Sequence, residues 1–503
     1  MGRAWAGVPI VGALMMAAAT SGVCAAPVEN APASTAPPRF VTHQQGVFGG
    51  VTVKYTVTAG PTLIRDDEGQ PLANFFAIAY TRDVAKGSTP ERPVTFLWNG
   101  GPGSASVWLH MGAFGPRRVA VPPDAQPAGV PPYPLEHNAS SLLDVTDLVF
   151  VDPIGAGFSR PAGGHEVREF HTLIADGDSF ARFMRTWLDA NDRNNSPKYV
   201  IGESYGSVRA GLVVRNFSEG RAGKITLNGL ILLGQDMDTT ETQQTPGNDM
   251  PYVIYLPTYA AAAWYHGKVS HEGRTLDSFL DEARTFARTD LAAALFLGSA
   301  VSPEERSRVA ARMAAFTSLP QELIERENLR IGTAQFIREL LRAEGRILIR
   351  SDLRYTVAAT QTVSDIGGMG EPPGVPEAIA AGASRYFRHE LGIDLDRPYI
   401  ISQQPKWDYT LPDWNNQQTY HNVAQYVATA MRANPSMRLF IGSGIYDGLA
   451  AILSGERTAT HSGLPLERVT VKNYPAGHMI FLHEPSLEAM AADLRQFIRA
   501  SAP

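Results

Sequence analysis

A single cysteine, Cys24, stands in the 503 residues. No intrachain disulfide can form, and the fold must hold by core packing alone, which a chain this long can supply. An excess of one charge is missing as well. The formal net charge is −6, and basic residues such as Arg117, Arg118, Lys198 and Arg215 are scattered rather than gathered into a stripe. Nucleic acid is therefore excluded as an expected partner. Long apolar runs are confined to Ala4 to Val23, which follows Arg3 and precedes the small residues Cys24, Ala25 and Ala26. This layout predicts a secretory signal peptide over 1–26, with export to the periplasm or medium and no membrane association after cleavage. A mature exported chain without cysteine suits a bacterial periplasm better than a eukaryotic secretory route.

What is present is an ordinary globular composition, 44% hydrophobic and 19% charged. Residues 27–44 are rich in Pro, Ala, Ser and Thr at first and predict a flexible linker. After it, Val51 to Val57 alternates apolar and polar, and Ala73 to Thr81 is β-rich, so the fold is expected to open with an antiparallel meander. Short apolar runs then recur at Val94 to Trp98, Leu148 to Val151, Tyr199 to Ile201, Leu230 to Leu233, Leu439 to Ile441 and Val469 to Val471. Helical patterns lie between several of them, at Asp178 to Ala190, Ser207 to Phe217, Ala424 to Ala433 and Leu487 to Arg499. Buried strands alternating with helices predict an α/β fold on a mostly parallel sheet. Ala- and Arg-rich amphipathic segments with few strand signals fill 250–400. They predict a helical cap inserted between a first core part, 45–249, and a second, 401–503.

The chemistry centres on Gly202, Glu203, Ser204, Tyr205 and Gly206, a GxSxG sequence between a strand-like run and a helical one. The glycines permit a strained strand-to-helix turn that lifts the serine hydroxyl to the carboxyl edge of the sheet. A hydroxyl needs a base, and in an α/β-hydrolase the acid and base follow in the order Ser, Asp, His. Asp447, after Leu439 to Ile441, and His478, after Val469 to Val471, fill that order, with His483 as the alternative base. The glycine-rich run Trp98 to Ser104 offers backbone N–H groups for half of an oxyanion hole, and the Tyr205 N–H supplies the other half. It is not a phosphate loop, because no Gly-Lys-Ser/Thr follows. Metal sites are not expected: the histidine after His165 and Glu166 is His171, outside HExxH spacing, and Asp236 and Asp238 read as a solvated turn. No cofactor is expected.

Four segments together resemble the serine carboxypeptidase family: WNGGPGSAS at 98–106, VDPIGAGFS at 151–159, GESYG at 202–206 and AGHM at 476–479. The resemblance implies the α/β-hydrolase fold, a triad of Ser204, Asp447 and His478, and an oxyanion hole at Gly101 and Tyr205. It implies release of C-terminal residues from peptides or proteins through an acyl-enzyme, with Asn99, Gly100 and Glu203 in substrate binding. Where the family carries a second carboxylate-gripping Glu, the ungapped alignment puts Ala113. Two carboxyls sharing a site raise each other's proton affinity, so the loss predicts an optimum nearer neutral pH. It also leaves Arg160 and Arg209 as candidates to help bind a terminal carboxylate. The same triad would equally serve an esterase, an acyltransferase or an aminopeptidase, and a non-catalytic binding protein is the reading from another class. Oligomeric state and side-chain preference are open at this level.

Overall fold

A computed structural model describes residues 38–84, 92–220, 223–359, 370–403, 405–411 and 420–501. The expected signal peptide lies outside the described residues, as does the linker through residue 37. The linker's last residues are not linker: strand β1 (Phe40–Phe48) already begins there. It alternates half-buried and exposed positions, as an edge strand does when only one face meets the core.

Strands β2 (Val51–Arg65) and β3 (Pro71–Arg82) complete the antiparallel meander. They are followed by β4 (Val94–Trp98), β5 (Arg117–Val119), β6 (Leu135–His137), β7 (Asp147–Val151) and β8 (Arg160–Pro161). Then come β9 (Lys198–Glu203), β10 (Gly229–Leu233), β11 (Arg346–Ile349), β12 (Asp352–Ala358), β13 (Arg438–Gly444) and β14 (Val469–Tyr474). The main sheet has ten strands in the order β1-β2-β3-β7-β4-β9-β10-β13-β14, with β8 paired to β3. From β7 to β14 every neighbour is parallel.

Both faces of this parallel part are covered, which is why its strands read as unbroken apolar runs. In β4, Phe96 and Trp98 pack under helices α1 (Leu173–Ala190) and α2 (Tyr205–Glu219), while Leu97 points to the opposite core with Leu487, Met490 and Leu494 of the last helix, Glu484–Ser501. The sheet's order also fixes where chemistry can sit. After β4 the chain crosses to β7 on one side, and after β9 it crosses to β10 on the other. Loops leaving the carboxyl ends of β4 and β9 thus diverge and open a crevice between them.

Between β10 and β13 the chain is mostly helical, starting with α3 (Met250–Tyr265), and has its own apolar core. Two findings depart from the expectation of helices alone. The segment from Leu276 is broken by a π-helical turn at Ala287–Leu291, and β11 and β12 form an antiparallel hairpin. That core also takes in Ile445, Tyr446, Ile452 and Leu453, which follow β13, so the insertion packs on the loop carrying Asp447.

Candidate active site

Three loops leave parallel strands of the main sheet at its carboxyl edge, from β9 and, beyond β10, from β13 and β14. Ser204 follows β9, Asp447 lies three residues after β13 ends, and His478 lies four after β14. Ser204 takes φ 57° and ψ −131°, a conformation that costs a non-glycine residue of order 1–3 kcal/mol. Its surroundings hold it there. The Ser204 N–H donates to Leu233 O at 2.9 Å, the Ser207 hydroxyl donates to Ser204 O at 2.6 Å, and the Trp98 indole N–H donates to Gly206 O at 2.9 Å. The elbow is thereby tied to both neighbouring strands, and Ser204 stays half-buried at the cleft floor.

Asp447 is fully buried. One of its carboxylate oxygens accepts from the N–H groups of Leu449 and Ala450, at 2.7 and 2.9 Å, and the other lies 2.7 Å from His478 Nδ1. A carboxylate held this way fixes the ring's orientation and its tautomer, with the proton on Nδ1 and Nε2 turned to accept. The far side of the ring, at Nε2, lies 3.8 Å from Glu203 Oε1. Burial pushes the His478 imidazolium down, but Asp447, then Glu203 and Asp236, outweigh it and lift its pKa to about 9. Burial conversely raises the Glu203 carboxyl, against the pull of His478 and the bond from Asn99.

The loop after β4 meets the elbow closely. A Cβ on Gly100 would stand 2.4 Å from Tyr205 N, so no other residue fits without displacing that backbone. Gly101 and Tyr205 line the same cleft as Ser204 and His478. Tyr205 opens α2, where the N–H has no intrahelical acceptor and the helix dipole favours negative charge. Asn99 is buried, with its amide donating to Glu203 Oε2 at 2.9 Å and its side-chain oxygen accepting from Leu109 N at 3.0 Å. Asn99, Gly100 and Glu203 line a smaller cleft of about 170 Å³, and Gly101, Ser204, Leu449 and His478 line both this cleft and a larger one of about 590 Å³.

Two of the expected binding residues stand elsewhere. Arg209 is fully buried beneath the site, where it pairs with Asp176 at 2.8 Å, donates to Asn99 O at 2.6 Å and lies over the Phe180 ring. It supports the floor and cannot reach a substrate. Arg160 spends its guanidinium on the carbonyls of Gly157 and Ser159, at 3.0 and 2.7 Å. The alternative base His483 bonds Ser486 Oγ at 2.7 Å at the start of the last helix. Ala113 packs inside the apolar core.

Other residues of the site escaped the sequence reading. Asp236 is no solvated turn: it lines the larger cleft, and burial pushes its carboxyl up to about 6. It follows the carboxyl end of β10, the same signal that marked Asp447 and His478. Gly234 takes φ +52°, and a Cβ there would sit 2.9 Å from His478 Nδ1 and 3.5 Å from Asp447 Oδ2. Arg350 and Ser351, from the turn between β11 and β12, also line the clefts, and nothing in the sequence marked them.

A mostly parallel sheet flanked by helices, with a serine on a strained turn at its carboxyl edge, defines a serine hydrolase of the α/β-hydrolase fold. The chain belongs to the serine carboxypeptidase family, whose model matches residues 65–319, just over half of the sequence. No sequence among curated proteins matches it. Among solved structures it is similar to Kex1(delta)p, a prohormone-processing carboxypeptidase from Saccharomyces cerevisiae. That match has a TM-score of 0.53 and 15% identity, and covers 89% of this chain and 92% of that one. A proline iminopeptidase from Mycobacterium smegmatis matches with a TM-score of 0.38 and 13% identity, over 88% and 98% of the two chains.

Proposed function

We propose that the chain is an exported serine carboxypeptidase that releases the C-terminal residue of peptides through an acyl-enzyme on Ser204. The observation that carries this reading is the placement of His478, 2.7 Å from a buried Asp447 and at the wall of the cleft whose floor is Ser204. The family match covers Ser204 but ends before Asp447 and His478, so their roles rest on this geometry.

In the proposed cycle the Ser204 hydroxyl attacks the scissile carbonyl carbon while His478 Nε2 takes its proton. The N–H groups of Gly101 and Tyr205 bind the oxyanion. The C–N bond breaks as the imidazolium returns the proton to the leaving amine, and water then repeats the sequence on the ester. Asn99 and a protonated Glu203 hold the free carboxylate of the leaving residue in the smaller cleft. Burial keeps the proton on Glu203 to higher pH than a solvated carboxyl would allow, and that proton lets it donate.

The test compares one blocked peptide with its C-terminally amidated twin. Faster cleavage of the free acid is expected, together with loss of both activities and of fluorophosphonate labelling in Ser204→Ala. Equal or faster cleavage of the amide would refute the carboxypeptidase assignment. Export over residues 1–26 is checked by N-terminal sequencing of protein recovered outside the cytoplasm.

A further inference from the structure

The second strand of the cap hairpin, β12, opens with an ion pair for which the proposed cycle has no use. Asp352 and Arg354 are both buried. Arg354 Nε donates to Asp352 Oδ1 at 2.9 Å and Nη2 donates to Oδ2 at 2.6 Å, so the guanidinium is held as a two-pronged fork. Nη1 is left for a third acceptor, Pro475 O at 3.1 Å, three residues before His478. The same guanidinium lies over the ring of Tyr446, the residue before Asp447, with Cζ 5.5 Å from the ring centre.

A buried pair of this kind can often be replaced by apolar residues with no loss of stability, so stability alone does not account for it. Its placement is more informative. One guanidinium touches both the loop of the proposed acid and the loop of the proposed base, and the backbone around it is tight. Gly477 lies against the pair: a Cβ there would stand 2.3 Å from Asp352 Cβ and 2.6 Å from Ser351 O. His478 N donates to Ser351 O at 2.7 Å, Leu353 N to Tyr446 O at 2.9 Å, and Tyr446 N to Ala476 O at 2.9 Å. The two loops are thereby tied to each other and to the start of β12. How they sit sets the 2.7 Å contact between His478 Nδ1 and Asp447 Oδ2.

Resting on the triad of the reading above, we propose that Arg354 is a positioning residue for it: by holding Pro475 and Tyr446 together, it sets the approach of the His478 ring to Asp447. The test follows fluorophosphonate labelling and hydrolysis of an activated ester across pH, in wild type and in Arg354→Lys. Lysine keeps the charge that Asp352 needs, but a single ammonium cannot reproduce the planar fork that reaches both Asp352 oxygens and Pro475 O. In Arg354→Lys, kcat and the labelling rate constant are expected to fall by about ten- to a hundredfold, with little change in KM. The rising limb of the pH profile is expected to move down. Asp447 does most to hold the imidazolium up, and a looser contact weakens it, while Glu203 and Asp236, the other carboxyls that raise it, are untouched. An arginine that merely stabilised the fold would leave both the rate constants per labelled site and the limb as they are in wild type.

Where Arg354→Lys yields no folded protein, the double variant Asp352→Leu with Arg354→Met gives the second reading. It strands neither charge in the interior and loses the bond to Pro475 O, so the same fall and the same shift are expected. In whichever variant folds, wild-type rate constants or an unmoved limb overturn the proposal. Wild-type protein that takes no label, or Ser204→Ala protein that still takes it, overturns the triad reading beneath. Labelling that is lost in Ser204→Ala but equal at every pH in wild type and the Arg354 variant fails this inference alone.

Discussion

Replacing Glu203 by Gln removes a carboxyl group 3.8 Å from His478 Nε2 while keeping the side chain's shape. Two unit charges near that distance interact by about 1 kcal/mol in bulk water and about 4 kcal/mol at the effective dielectric of a protein site. At 1.36 kcal/mol per pKa unit, loss of a fully ionised neighbour would lower the imidazolium by roughly one to three units. Burial raises the Glu203 carboxyl's own pKa, against the pull of His478 and Asn99. The two groups titrate as a pair, and a shift of about one to two units is expected.

The sign follows from the proposed role. His478 must be neutral to accept the serine proton, so kcat/KM rises with pH as the imidazolium loses its proton, near pH 9 in the wild type. In Glu203→Gln the rising limb should move down by about one to two units. An ester or peptide amide is the proper substrate, since neither needs Glu203 to hold a terminal carboxylate. The pH dependence of fluorophosphonate labelling gives the same limb without any peptide. A limb that stays in place or moves up would refute the electrostatic coupling of Glu203 to the base.

Gly234→Ala should cripple the site without touching a reacting atom. Its Cβ would lie 2.9 Å from His478 Nδ1 at a backbone φ of +52°, so the imidazole must shift. A loss of about a hundredfold in kcat and in labelling rate is expected, and wild-type rates would disprove the contact. Glu241 is a buried carboxyl that accepts from Ser454 Oγ at 2.6 Å, and burial pushes it up to about 8. Its protonated form stabilises the fold below the ordinary value of 4.5, and that stability is lost as pH rises to about 8, up to roughly 4–5 kcal/mol. Urea unfolding of Glu241→Gln should depend less on pH between 5 and 8 than that of the wild type, and parallel curves would count against this account.

The parts of the site that could be read from the sequence are those in which the backbone dictates residue type. A parallel strand buried on both faces must be apolar throughout, so β4 and β9 could be found as runs. The elbow at Ser204 demands small neighbours, which GxSxG records. Asp447 and His478 were found by one rule, that chemistry collects at the carboxyl ends of parallel strands. The same rule applied to β10 points to Gly234 and Asp236, which follow its carboxyl end and line the larger cleft. Arg160 and Arg209 were candidates only because they stand beside catalytic segments. Nearness in sequence to a catalytic segment says nothing of direction, and Arg209, on the buried face of α2, points beneath the site at Asp176.

The cap's share in the site was not readable, and the cause is physical. Arg350 and Ser351 hold their places through carbonyl oxygens that accept from Gly448 and His478, and every residue type has such a carbonyl. The side-chain bonds from Arg350 Nε to Gly448 O and from Ser351 Oγ to Gly370 O add to these but also end on carbonyls, so an insertion that shapes the cleft reads as a separate helical module. The bonds argue against a detachable lid. Moving the turn at Arg350 and Ser351 away would break the N–H bonds of Gly448 and His478 together, and with them the support of both loops that hold the proposed acid and base.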